Sequence, residues 1–303
     1  MTPKISVIVC TRNRPDDVVA CAKTILANQY PAFELVIVDQ SNPTDRQRAE
    51  AKVGPDERLR WIATATRGLS VSRNLAVAAA RATILAFTDD DCRVSETWVS
   101  DTAAEFDADP ELGLLFGKVV LTPEDRARGY AAEFEPERRK ELCGALPEPH
   151  LAWGAGANMA IRRSVFDRLG VFDTALGAGA PFFAGEELDF TLRALAAGFK
   201  MVHTPATSVV HLGVRQGTDA GRLLRGYGIG LGATLGKHVR LGTNGAARLL
   251  GGWLAFHGRR VVGNALRGDR HPGFGLVAAV LLGVGRSYGR RLDRGRSLYS
   301  EQR

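Results

Sequence analysis

Ile5-Ser-Val-Ile-Val-Cys10 and Phe33-Glu-Leu-Val-Ile-Val38 are short apolar runs rich in β-branched residues, and what lies between them decides the fold class. Runs of this length and composition read as buried strands. Asp16 to Asn28 instead places Val18, Val19, Ala22, Ile25 and Leu26 at spacings of three and four, the stripe of an amphipathic helix. The alternation repeats downstream. Leu59 to Ile62 and Thr83 to Phe87 read as strands, and Ser70 to Ala80 carries Leu75, Ala76 and Ala79 at helical spacing. A βαβα order predicts an α/β fold: a mainly parallel sheet sandwiched by helices.

Such a sheet carries its functional loops beyond the carboxyl ends of its strands. The loops to inspect are therefore Thr11 to Pro15, Asp39 to Thr44, Ala63 to Leu69 and Asp89 to Arg93. Further on, the pattern predicts a helix near Thr97 to Phe106, a strand near Leu112 to Val120 and a loop-rich insertion over Thr122 to His150. A strand over Gly154 to Arg162 and helices over Ser164 to Leu169 and Glu186 to Ala197 follow. Strands at Lys200 to His203 and Ser208 to His211 complete a first unit of residues 1–214. We divide it into two halves, one to about residue 120 and one over 121–214.

The 303 residues are 45% hydrophobic and 24% charged, which excludes wholesale disorder. The four cysteines show no C-x-x-C spacing, so zinc is not suggested and a reducing compartment is expected. Met1 to Cys10 passes almost at once into an apolar strand, without the pattern of a leader, and the expectation is a cytoplasmic protein. Charge is divided unevenly. Residues 215–303 hold 16 basic and 4 acidic side chains, against 24 and 29 before them.

The sharpest chemical feature is Phe87-Thr-Asp-Asp-Asp-Cys92. Three adjacent carboxylates repel one another unless a cation or donors compensate them, and hard divalent ions prefer carboxylate oxygens. A metal there would neutralise a leaving diphosphate. The triplet by itself also reads as a solvated turn capping the next helix.

Several segments in order break that tie: Ile5-Ser-Val-Ile-Val-Cys-Thr-Arg-Asn-Arg14, Leu35-Val-Ile-Val-Asp-Gln-Ser41, Arg67-Gly-Leu-Ser-Val-Ser-Arg-Asn74, Asp89-Asp-Asp91, Gly185-Glu-Glu-Leu-Asp189 and His211. Together they resemble an inverting family 2 glycosyltransferase of the GT-A fold over roughly Met1 to Arg215. The resemblance implies a nucleotide-diphospho-sugar donor and a divalent metal, Mg2+ or Mn2+. It places Thr11 and Arg14 in the nucleotide pocket and Asp39 against the base or ribose, with Gln40 where many relatives carry a second Asp. For Asp39 the alternative is a turn residue bonding its own backbone.

In the same pattern Asp89 approaches the ribose, Asp91 holds the metal with Asp89 and His211, and Asp90 is the variable middle position. Arg67, Ser70, Arg73 and Asn74 sit in a loop and first helical turn suited to phosphate or ribose. Ser70 as a cap and Arg73 as a surface arginine are the alternatives. Inverting transfer needs a base, and the match puts Glu187 there, with Glu where Asp is commoner and Glu186 as competitor. Acidic residues also simply favour a helix N-terminus. Trp153, Gly156 and Asn158 are expected to form an acceptor-side wall, with Trp153 stacking on sugar and a place in the core as its alternative.

The basic tail, residues 215–303, is expected to be helical. Asp219 to Lys237 carries Leu223, Leu224, Tyr227, Leu231 and Leu235 at near-helical spacing, with Arg222, Arg225 and Lys237 interspersed. We read it as an amphipathic helix lying on the cytoplasmic face of a membrane, suited to a glycan, lipid-linked or other envelope acceptor. A helical dimerisation element is the alternative. Nucleic acid is not expected, since aromatics are not interleaved with the arginines. Nucleotidyl transfer lacks a Gly-rich, Lys-bearing loop after the first strand, and a dehydrogenase lacks G-x-G-x-x-G there. A non-catalytic nucleotide-sugar sensor or scaffold remains a competing class.

Overall fold

A computed structural model describes residues 2–144, 146, 153–266 and 273–300. Strands β1 (Ile5–Thr11), β2 (Phe33–Asp39), β3 (Leu59–Ala63) and β4 (Ile84–Asp89) alternate with helices α1 (Pro15–Leu26), α2 (Pro43–Val53) and α3 (Leu69–Ala79). They pair in parallel in the order β3-β2-β1-β4. This is the predicted parallel sheet, and its burial explains the near-continuous apolar runs, since both faces are covered. Val18, Val19, Ala22 and Ile25 of α1 are buried on one stripe, as their spacing requires.

Helix α2 is absent from the sequence expectation. Among its residues only Ala49 is buried, so no apolar stripe announces it. Its start is nonetheless encoded by Asn42, whose side chain accepts from the Asp45 N–H at 3.0 Å, and by Pro43 in the first turn.

Beyond β4 the sheet becomes mixed. Strand β5 (Cys92–Val94), α4 (Trp98–Ala108), β6 (Leu112–Val120), α5 (Pro123–Arg128), β7 (Lys140–Cys143), β8 (Met159–Arg162), α6 (Arg163–Leu169), α7 (Glu186–Ala196) and β9 (Lys200–His211) follow. The sheet order continues as β4-β8-β6-β9-β5, with β8 antiparallel to both neighbours and β7 pairing with β9. Three expectations need correction. The strand expected over Gly154 to Arg162 is extended only from Met159, because Gly156–Asn158 form a tight 3-10 turn. The two strands expected between Lys200 and His211 are one strand of 12 residues. The Thr122 to His150 stretch contains α5 and β7, while its residues 145 and 147–150 lie outside the described part.

Helices α8 (Gly217–Leu241), α9 (Ala246–Leu266) and α10 (Gly273–Tyr288) and a small hairpin, β10 (Leu292–Asp293) with β11 (Leu298–Tyr299), complete the chain. The segment read as a membrane-surface helix, Asp219 to Lys237, makes up most of α8, and the second half of it is interior, including Lys237. Residues 228–230 and 232–238 are all buried. Helices α8 and α10 approach backbone to backbone: a Cβ at Gly232 would stand 1.9 Å from the Val280 carbonyl oxygen, and one at Gly283 2.2 Å from that of Ile229. No other residue fits there, which accounts for Gly232 and Gly283.

A buried charge cluster fastens α8 to the rest of the fold. Lys237 lies 2.8 Å from Asp173 and 2.6 Å from Asp189, and all three are essentially inaccessible. His238 Nε2 lies 3.0 Å from Asp189, and the Tyr299 N–H donates to Asp173 at 2.8 Å. Buried charges persist only when paired in this way. Asp189 stands in the first turn of α7, so the cluster also holds that helix terminus.

Candidate active site

The Asp triplet begins where β4 ends. β1 and β4 run side by side with Cys10 opposite Asp89, which brings Thr11 beside the triplet. The Thr11 hydroxyl donates to Asp90 at 2.7 Å. Arg14, at the start of α1, donates from one guanidinium nitrogen to Asp90 and from another to Asp91, both at 2.6 Å. The carboxylates are thus held apart by donors. Burial, the largest influence, pushes the Asp90 carboxyl up to about 7 against the pull of Arg14. Burial also pushes Asp91 upward, but His211 and Arg14 together outweigh it and hold that carboxyl below the ordinary range.

His211 reaches the triplet through strand register. After the Asp turn, β5 runs back antiparallel to the end of β9 with Cys92 opposite His211, and the Leu212 N–H donates to the Asp91 carbonyl at 2.9 Å. His211 Nε2 then lies 3.2 Å from Asp91 Oδ1. Burial lowers the His211 pKa and the bond and charge of Asp91 raise it, with a net rise. Gly213 makes the approach possible, since a Cβ there would come 2.0 Å from Asp91 Oδ2.

These residues fit a divalent ion. Donor atoms of Asp91, Cys92 and His211 lie within 4.8 Å of one another, and His211 Nδ1 is buried without a hydrogen-bond partner among the described residues. Burial raises the Cys92 thiol well above its ordinary value, which disfavours the thiolate a metal requires. The imidazole and carboxylate that remain are donors that a divalent ion can take. Asp89 borders the same cavity with its carboxylate partly open, its pKa raised by burial against the opposing charge of Arg73.

Two cavities meet here. One of about 340 Å3 is lined by Thr11, Arg14, Gln40 and the Asp triplet. The other, of about 430 Å3, is lined by Trp153, Gly156, Glu186 and Glu187. Asp89, His211 and Tyr227 border both.

Arg73 joins them underneath. Its guanidinium is buried, 2.9 Å from Glu186 and 3.6 Å from Asp89, with the Gly156 carbonyl at 3.5 Å. It is no surface arginine. Burial, and then the neighbouring Glu187, push the Glu186 carboxyl up to about 8 while Arg73 pulls it down. Glu187 is placed differently. It lines the larger cavity, and its Oε2 is buried without a hydrogen-bond partner among the described residues. Of the two competing glutamates, Glu186 is tied into the frame and Glu187 has an oxygen to offer.

Five of the sequence candidates do not face a cavity. Asp39 is buried, with one carboxylate oxygen accepting from the Ser41 N–H at 2.7 Å and the other from the Trp61 indole at 3.2 Å, which is the turn role weighed as its alternative. Arg67 is exposed on its loop and borders neither cavity. Ser70 donates to the Leu176 carbonyl at 2.7 Å, anchoring the loop after Asp173. Asn74 exchanges two bonds of 2.9 Å with the Phe172 backbone. Asn158 is not part of an acceptor wall. It accepts from the Trp98 indole at 2.9 Å and donates to the Lys118 carbonyl at 2.8 Å, tying α4 to the sheet.

Tyr227 escaped the sequence reading. Leu223, Tyr227 and Leu231 stand four residues apart on α8, and this stripe forms a wall of the larger cavity. The periodicity was visible; the surface it faces was not.

Known proteins can now be set beside this geometry. The profile of "Glycosyl transferase family 2" matches residues 6–170, just over half of the chain. The chain belongs to glycosyl transferase family 2. Among family relatives, the glucosyl-dolichyl phosphate glucuronosyltransferase of Haloferax volcanii is 28% identical over 185 residues, 57% of this chain and 57% of that protein. The succinoglycan biosynthesis protein ExoO of Rhizobium meliloti is 25% identical over 225 residues, 74% of this chain and 64% of that one. The chain spans less than two thirds of the length of these curated relatives.

Among solved structures, the mannosyltransferase PcManGT from Pyrobaculum calidifontis, in complex with GDP-Man and Mn2+, superposes with a TM-score of 0.61 at 20% identity, covering 95% of this chain and 88% of that one. S. aureus TarS 1-349 in complex with UDP-GlcNAc gives 0.60 at 18% identity, covering 93% and 81%. These likenesses establish the GT-A fold. The family 2 profile ends at residue 170, so Glu187, His211 and Tyr227 lie beyond it and their roles rest on this chain's own geometry.

Proposed function

We propose that this chain is a metal-dependent inverting glycosyltransferase that moves a sugar from a nucleotide-diphospho-sugar to a hydroxyl of a glycan, lipid-linked or other envelope acceptor, at the cytoplasmic face of a membrane. One observation carries the reading. The Asp91–His211 pair and the carboxylate oxygen of Glu187 that has no hydrogen-bond partner among the described residues border two cavities that meet at Asp89 and His211.

The smaller cavity would take the nucleotide diphosphate and the larger one the acceptor. Glu187 accepts the proton of the acceptor hydroxyl as that oxygen attacks the anomeric carbon from the side opposite the diphosphate. The bond from carbon to the diphosphate oxygen breaks with its electron pair, and the charge arrives beside Arg14. A divalent ion held by Asp91, His211 and Asp89 would supply further neutralisation of that charge. Arg73 fixes the spacing of the two halves by holding Glu186 and Asp89 together. The donors named for the solved neighbours, GDP-Man and UDP-GlcNAc, support a nucleotide-sugar, and the Mn2+ of one supports the metal.

The test is saturation-transfer NMR and calorimetry with UDP-, dTDP- and GDP-sugars, with and without Mg2+ or Mn2+, on the wild type and Asp91→Ala. Metal-dependent binding of one donor, lost in the variant, is the expected result. A folded protein that binds none of the panel would overturn the assignment.

A further inference from the structure

Helix α10 is apolar on both sides. Its inner side, Ala279, Val280, Gly283 and Ser287, is buried against α8. Its outer side is exposed. Phe274, Ala278, Leu281, Leu282, Gly285 and Tyr288 fall on one stripe of helical period, with Phe274 70% and Leu281 52% accessible. An exposed continuous apolar stripe marks a surface that something covers. The charges on α10 and on the neighbouring α9 point to an anionic partner. Helices α9 and α10 contain no Asp or Glu, while Arg248, Arg259, Arg260 and Arg286 are exposed on them. Val262 of α9 is also 58% accessible.

We infer that α9 and α10 form a docking surface for an anionic lipid bilayer, with the α10 stripe entering the boundary between headgroups and acyl chains and the arginines meeting lipid phosphates. No described helix is long and apolar enough to cross a membrane, so the contact is with the surface. A second copy of this chain fits less well. A two-fold contact through the stripe would set arginines near arginines, with no acidic residue on either helix to pair them. In α8, residues 228–230 and 232–238 are buried and Leu223, Tyr227 and Leu231 line the cavity, which leaves Leu224 as the exposed member of its spaced apolar residues. This inference stands apart from the transferase reading, since it needs neither donor nor metal.

The experiment is co-sedimentation of the full chain with phosphatidylcholine vesicles, with and without phosphatidylglycerol. The wild type should bind the anionic vesicles and release as salt rises. Phe274→Glu with Leu281→Glu should weaken binding by about tenfold or more, and Arg259→Glu with Arg260→Glu should remove the preference for phosphatidylglycerol. These side chains are exposed, so circular dichroism and donor binding should be unchanged in both variants. A folded wild type that binds neither vesicle would overturn the assignment. So would a lipid-free dimer in sedimentation velocity that Leu281→Glu dissociates, which would give the stripe to a second copy.

Discussion

The sheet half and the helical tail respond oppositely to the same rule. In α1 the apolar stripe Val18, Val19, Ala22 and Ile25 packs against the sheet, as an amphipathic helix should. In the tail, the clearest stripe belongs to α8, yet that helix is buried on other sides as well and uses Leu223, Tyr227 and Leu231 to wall a cavity. Helix α10, apolar on two sides, leaves one of them uncovered. Periodicity therefore tells which residues share a face. What the face meets depends on neighbours: a sheet supplies a predictable apolar floor, whereas helices packed through glycine can bury several sides at once.

The comparison is broken most forcefully at the glutamates, where the two regions meet. Glu187→Gln should lower transfer by about a thousandfold with donor affinity unchanged, because the base is lost and the frame is not. Should Glu186→Gln abolish transfer while Glu187→Gln spares it, the division of roles drawn from Arg73 is wrong.

Next in size is the joint between the halves. Lys237→Met would leave Asp173 and Asp189 without their shared cation and should cost about 3–5 kcal/mol in denaturant unfolding. A change within experimental error would mean that the tail and the catalytic half are energetically independent.

Asn158→Ala should destabilise by about 1–3 kcal/mol, since the Trp98 indole loses its acceptor and the Lys118 carbonyl its donor. Donor binding by the folded fraction should persist. A stable variant with weakened acceptor use would restore Asn158 to the acceptor wall.

The smallest effect is a slope. Glu186 keeps its proton up to about 8 in the native protein, against an ordinary value of 4.5. Between those values the native state binds a proton that the unfolded chain has released, so stability falls as pH rises, by at most about 1.4 kcal/mol per pH unit. Thermal melts of metal-free Glu186→Gln should show a flatter dependence over that window. An unchanged slope would place the titration elsewhere.

Much of the site was legible because its residues follow strand ends. Thr11, Arg14 and the Asp triplet lie at the carboxyl ends of two adjacent parallel strands, and reading those strands locates them. Asp39 satisfies the same criterion, but its carboxylate turns into the Ser41 backbone and the Trp61 indole. Strand position names the loop without saying which way a side chain turns. Ser70 and Asn74 teach the same lesson from α3, where both are used to hold the segment around Phe172 and Leu176.

The sequence by itself determined the α/β class, the parallel strands β1 to β4, the Asp turn and the acidic start of α7, since each is a pattern among consecutive residues. The tertiary structure alone decided that His211 stands beside Asp91, that Glu186 is tied to Arg73 while Glu187 Oε2 has no hydrogen-bond partner among the described residues, and that the second half of α8 is interior. Those contacts join residues about a hundred or more positions apart, or depend on which side of a helix is covered. They exist only once β5 has paired with β9 and α8 has closed on α10, because packing, unlike period, is a property of the whole chain.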